Sequence, residues 1–204
     1  GVLIDPLPFP IGLTGAADAL FVSSPEAGAV FRIDLGSRDV TRVADALSWP
    51  TSLALDGLGN LLVVETGAGR VLRIDPLGGV STLAQGLLSP VGLAIHGDRL
   101  YTAEPTGGRV LALREGMSPT IVASGLSRPA GLAIDERGRL FAAEAGAGRV
   151  VRIDSAGIAL PLVTGRALDA PEEGLPLTIG LATDREGVLV ASPADGSLIR
   201  LSAP

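Results

Sequence analysis

One segment of about forty residues recurs five times along this chain, so each copy has to bury its apolar surface against the next. Pro50-Thr-Ser-Leu-Ala-Leu-Asp56 returns as Pro90-Val-Gly-Leu-Ala-Ile-His96 and as Pro129-Ala-Gly-Leu-Ala-Ile-Asp135, with weaker copies at Pro10-Ile-Gly-Leu-Thr-Gly15 and Thr178-Ile-Gly-Leu-Ala-Thr-Asp184. A second element follows each copy: Leu61 to Asp75, Leu100 to Leu113 and Leu140 to Asp154 match closely, while Leu20 to Asp34 and Val188 to Leu201 have diverged. Successive copies are separated by 40, 40, 39 and 49 residues.

A period near forty suits either helix pairs or four short strands. The apolar runs decide for strands. They are four to seven residues long, flanked by Gly, Asp or Pro, and no stretch keeps a helical period for ten residues. Each unit reads as strand A (Pro-x-Gly-Leu-Ala-Ile), strand B (Leu-Leu-Val-Val), strand C (Arg-Val-Leu-Arg-Ile) and a short strand D such as Val80 to Ala84 or Thr120 to Ala123. A proline opening strand A is tolerable because the first residue of a strand need not donate to the ladder. The pleat puts Leu53 and Leu55 on one face and Ser52 and Ala54 on the other, and the third and fourth copies repeat the split. Large faces are therefore expected to fill the shallow faces of neighbouring units, each buried Leu or Ile contributing about 1.5–3 kcal/mol.

The expected fold is all-β: a five-bladed β-propeller of four-stranded antiparallel blades in one domain, 1–204. The repeats are expected at 10–49, 50–89, 90–128, 129–177 and 178–204 plus 1–9. The last copy ends on a strand C, and residues Val2 to Leu7 stand where a strand D belongs, so the N-terminal strand is expected to complete the last blade and close the ring. The alternative is a fragment of a six-bladed ring.

Composition removes several chemistries. The 204 residues are 47% hydrophobic and 19% charged, a globular balance, with net charge −6. All sixteen basic residues are arginine. An acidic chain is a poor nucleic-acid binder and a poor match for an anionic membrane surface. The longest uncharged stretch, Pro76 to Gly97, is too interrupted to span a membrane. Residues 1–10 have no basic region and three prolines, and do not read as a signal peptide, although a chain starting at Gly can be a processed or trimmed form. With no cysteine and no lysine, thiolate and Schiff-base chemistry are excluded, and any Ser-His-Asp triad has to use His96, the sole histidine.

The unit Pro-x-Gly-Leu-Ala-Ile-Asp, Gly-Asn-Leu-Leu-Val-Val-Glu, Gly-Arg-Val-Leu-Arg-Ile-Asp closely resembles the NHL repeat of β-propellers, over Pro10 to Leu201. The resemblance implies a propeller scaffold shared by protein- and RNA-binding modules, bacterial sensor domains, gluconolactonase-like hydrolases and streptogramin lyases. It slightly favours an extracytoplasmic location. Family rings usually have six or more blades, so five units depart from the pattern. Gluconolactonase-like enzymes hold a divalent metal with Glu, Asn and Asp. The matching segment here, Pro129-Ala-Gly131, has no Asn, and Asn60 falls in an A–B turn instead.

Glu65, Glu104 and Glu144 end strand B, five residues before Arg70, Arg109 and Arg149. Where Glu is absent so is Arg: the first unit has Ser24 and Ala29, the fifth Ser192 and Ser197. Joint loss suits structural Glu–Arg ion pairs rather than a ring of carboxylates for a divalent cation at the channel mouth. His96 stands where other copies have Asp, at the A–B turn, and reads as a turn residue. The ten-residue excess between the fourth and fifth copies, Thr164 to Pro176, carries Asp169, Glu172 and Glu173 in a D–A connection. Trp49, Ser89 and Arg128, just before strand A, are expected at the same face, and Trp49 is a natural contact anchor.

The expected function is a non-catalytic binding or scaffolding propeller, acting as a monomer without a cofactor. Its partner would be a protein, peptide or small ligand bound at Trp49, Arg128, Asp169, Glu172 and Glu173. The alternatives are a metal-dependent hydrolase or lyase, and a designed or fragmentary propeller without a ligand.

Overall fold

Glycine and proline punctuate the apolar runs so closely that every run becomes a short strand. The computed structural model describes residues 7–164, 180–191 and 198–202. Among them there is no helix. The described chain forms two compact units, residues 1–87 and 88–204. The boundary falls next to the expected junction of the second and third repeats.

The first unit holds two antiparallel four-stranded sheets. One is β1 (Leu13–Gly15), β2 (Ala19–Ser24), β3 (Ala29–Asp34) and β4 (Val40–Ala44); the other is β5 (Pro50–Leu55), β6 (Leu61–Glu65), β7 (Arg70–Ile74) and β8 (Val80–Gln85), each in sequence order. The second unit holds β9 (Gly92–His96), β10 (Arg99–Glu104), β11 (Arg109–Leu113) and β12 (Thr120–Ala123), then β13 (Pro129–Ile134), β14 (Leu140–Glu144), β15 (Arg149–Ile153) and β16 (Ala159–Thr164). Its third sheet has three described strands, β17 (Gly180–Thr183), β18 (Gly187–Ala191) and β19 (Leu198–Ser202). The expected N-terminal contribution to this last sheet rests on residues 1–6, outside the described residues.

The pleat packs as its alternation requires. In the second unit Ala94 and Ala103, on the shallow face of the third sheet in chain order, meet Leu132, Leu140 and Ile153 on the large face of the fourth. That sheet's other face offers Phe141 and Ala143 to Val188 and Val190 of the fifth. In the first unit Leu53, Leu61, Val63, Leu72 and Ile74 pack on Val30, Phe21 and Leu47. Few aromatics are needed because small faces admit large ones.

Successive A strands lie against each other within each unit: β1 on β5, and β13 on both β9 and β17. The glycine of Pro-x-Gly exists for this approach. A Cβ on Gly12 would collide with the Thr51 carbonyl oxygen, and one on Gly92 with that of Ala130. D strands form the opposite edge of each four-stranded sheet; Val80, Ile121 and Leu160 there are solvent-facing.

Candidate functional site

Ahead of strand A, each of the first four repeats places a non-glycine residue in the left-handed region immediately before a proline. Phe9 has φ 43°, Trp49 55°, Ser89 48° and Arg128 48°. Left-handed backbone costs an ordinary L-residue about 1–2 kcal/mol, and a following proline further restricts the residue before it. Something must hold these turns.

The buried glutamates hold them. Glu65, Glu104 and Glu144 are completely buried. Their Oε1 atoms accept the backbone N–H of Ser48 (2.7 Å), Leu88 (2.7 Å) and Ser127 (2.6 Å), each the residue before the left-handed one. Their Oε2 atoms accept Nε–H of Arg70, of Arg109 (2.5 Å) and of Arg149 (2.5 Å), whose side chains stay partly exposed. The Glu65 hydrogen bond, opposed by partial burial, holds the Arg70 guanidinium above its ordinary pKa, and Glu144 does the same to Arg149. Backbone bonds complete the lock: Thr66 N–H to Trp49 O (3.1 Å), Gly67 N–H to Ser48 O (3.0 Å), Ala145 N–H to Arg128 O (3.1 Å) and Gly146 N–H to Ser127 O (3.1 Å). At each of these three glutamates the D–A turn and the B–C hairpin are thus joined into one structure.

The first blade shows why Glu and Arg disappear together. The residue equivalent to Ser48 there is Pro8, which has no N–H for a carboxylate to accept. Ser24, at the glutamate position, donates its hydroxyl to the Pro8 carbonyl instead. No buried carboxylate remains, and Ala29 replaces the arginine.

The clamp is the same wherever glutamate occurs, but the residue it presents is not. Trp49 is half-buried, and Phe9, Ser89 and Arg128 are exposed. The structure therefore gives Trp49 and Arg128 equivalent places at the head of strand A, each in its own unit. Asp169, Glu172 and Glu173, expected at a D–A connection, lie outside the described residues. If the left-handed backbone is held against its preference, Ser89→Gly should stabilise the protein by about 0.5–1 kcal/mol, the relieved strain exceeding the added chain entropy. Urea unfolding would show it as a raised midpoint; a lowered midpoint would contradict the strain.

The opposite ends of the A strands carry A–B turns built on aspartate. Asp56 Oδ1 accepts the N–H of Leu58 and of Asn60 (both 2.9 Å), and Asn60 Nδ2 donates to Oδ2 (2.8 Å). Asp135 repeats this with Arg137 N–H (3.0 Å), Arg139 N–H (2.8 Å) and Arg139 Nε (2.6 Å). Burial works to raise both pKa values, but the hydrogen bonds together with the charges of Arg73 and Arg139 outweigh it, so both aspartates sit below their ordinary value. A depressed native pKa stabilises the fold above the unfolded value of about 3.9 and is lost as pH falls through the native one. Asp135→Asn should therefore be destabilising at pH 7, and the gap from wild type should close below about pH 4. Urea denaturation at pH 7 and pH 3 checks this; a gap independent of pH would contradict it.

His96 has no such turn to cap. It pairs directly with Arg99 across the two residues Gly97 and Asp98, with Gly97 at φ 61°. Five residues separate Leu55 from its partner Leu61, but only four separate Ile95 from Leu100. This missing residue is the one-residue deficit in the 39-residue step.

Among the described residues no group of three or more His, Cys, Asp or Glu is gathered as a metal would need. The three buried glutamates each have both oxygens engaged already.

No protein-family model matches the sequence, and no curated protein matches it. Solved structures do. A nidogen/laminin complex aligns with TM-score 0.82 at 20% identity, over 95% of this chain and 75% of that one. A streptogramin B lyase aligns at 0.70 and 15% identity, over 96% and 69%. A gluconolactonase-like protein aligns at 0.72 and 20% identity, over 99% and 80%. The fold is a β-propeller. Its five sheets are the blades. The neighbours include a binding complex and enzymes, so fold alone leaves function to the site.

Proposed function

We propose that this propeller is a non-catalytic binding module that recognises a protein, peptide or small ligand through its D–A turns. The observation that carries the reading is the contrast between clamp and tip. A buried carboxylate, a backbone N–H and an arginine recur as one clamp, while the strained residue it displays changes from Trp49 to Ser89 to Arg128. A turn serving only to connect strands would use glycine, which occupies left-handed backbone without steric strain. Strain maintained at chemically different side chains that reach solvent supports a contact surface. Trp49 supplies apolar area and Arg128 a charged fork, the two residue types that dominate binding hot spots. The likeness to a nidogen/laminin complex is consistent with such a role. Asp169, Glu172 and Glu173 belong to the same proposal from sequence alone.

Metal-dependent hydrolysis or elimination at the glutamates is the weaker reading, because a cation would have to displace a backbone N–H and an arginine from each one.

Wild type and a Trp49→Ser/Arg128→Ser double variant, immobilised side by side and exposed to lysate and culture fluid of the source organism, test the proposal by quantitative mass spectrometry. Wild type should enrich a partner at least tenfold over the variant, with both proteins unfolding at the same denaturant midpoint. Equal profiles, or no enrichment on wild type, would contradict recognition of a protein or peptide.

A further inference from the structure

At the far end of β13 from Arg128, about 20 Å away at strand rise, the A–B turns of the fourth and fifth blades line a cleft of about 320 Å³. Both turns and the cleft belong to the second unit. Phe141 and Val188, both fully buried, and Gly187 are among the residues that line it. The volume is at the small end of the range for ligand pockets, roughly 300–1,000 Å³.

The charges around the cleft are unequally engaged. Asp135 is neutralised by Arg139, which also lies over the Phe141 ring at 5.8 Å. Asp184 accepts the N–H of Glu186 and of Gly187 on Oδ1 and Arg200 on Oδ2 (2.8 Å), and Arg200 also pairs with Glu186. Three of the four lining carboxylates are thus satisfied within their own sheets. Glu136 stands 3.9 Å from Arg185, beyond hydrogen-bonding distance, with both side chains largely in solvent. Arg137 has no carboxylate partner among the described residues. Arg137 and Arg185 both line the cleft, and among the described residues neither guanidinium hydrogen-bonds a carboxylate.

We infer that this cleft binds a small molecule carrying a carboxylate or phosphate group, held by Arg137 and Arg185. The planar guanidinium fork matches the two oxygens of either anion. The site is separate from the D–A turns, and one can be occupied without the other.

The test is a titration of the uniformly ¹⁵N-labelled full chain, in low-salt buffer free of other oxyanions, with inorganic phosphate and separately with succinate. At least one should shift the backbone amides of residues 136–139 and 185–187 saturably. Arg137→Gln/Arg185→Gln should weaken that binding at least tenfold, and Arg114→Gln, an exposed arginine elsewhere, should leave it unchanged. A response to phosphate alone, succinate alone or both assigns the group and supports the site. Absence of saturable shifts with either anion, shifts centred elsewhere, or undiminished binding by the double variant would overturn it.

Discussion

Glu104→Ala is expected to destabilise the protein by about 2–4 kcal/mol, far beyond the worth of a surface ion pair of about 0.2–1 kcal/mol. The side chain is fully buried, and its removal strands two donors at once: the Leu88 N–H and Nε–H of Arg109. It also frees Ser89 from the turn that keeps it left-handed. Arg109→Ala should cost a comparable amount by leaving the carboxylate unpaired. The double variant should cost less than the sum, because the second removal finds the interaction already broken. Urea denaturation of the four proteins gives the coupling energy. A loss below about 0.5 kcal/mol for Glu104→Ala would mean that the clamp does not support the fold.

Gly92→Ala is expected to be destabilising for a different reason, by about 1–3 kcal/mol. The new methyl would enter the Ala130 carbonyl oxygen, with the Ala103 Cβ and Leu132 Cγ each 3.3 Å away. A backbone oxygen in a strand cannot rotate aside, so two A strands have to separate. Gly57→Ala is the matching control. Nothing lies within 4 Å of its Cβ position and its φ is not positive, so the methyl meets no atom and only restricts the unfolded chain. It should be neutral or stabilising by up to about 1 kcal/mol. Equal effects at the two glycines would show that the approach of A strands does not depend on the missing side chain.

The fold was legible because its determinants are local. Proline at the head of strand A, glycine in the B–C hairpin and alternation of large with small residues repeat at fixed spacing, and each has a direct physical consequence. The Glu–Arg pairing could also be expected, since Glu65 and Arg70 sit opposite each other on adjacent strands. The other half of the clamp could not, because a backbone N–H offered by Ser48 or Leu88 leaves no mark on residue type. One trace was present in the sequence: Pro8 coincides with Ser24, and a missing N–H predicts a missing carboxylate. The left-handed turns were hidden by misleading residues, since tryptophan or arginine before proline argues against that backbone. The cleft between residues 135–139 and 184–187 depends on two turns 49 residues apart meeting across a blade interface. No spacing rule announces that contact.

The central claim is that the buried glutamates exist to hold the D–A turns, and amide hydrogen exchange tests it most directly. Ser48, Leu88 and Ser127 are exposed residues between strands, where exchange would ordinarily be fast. If their N–H groups are bound by buried carboxylates, they should exchange as slowly as the amides of β6, β10 and β14. Glu104→Gln, which retains an acceptor oxygen, should keep Leu88 protected, and Glu104→Ala should expose Leu88 while leaving Ser127 slow. Fast exchange at all three in the wild-type protein would contradict the account.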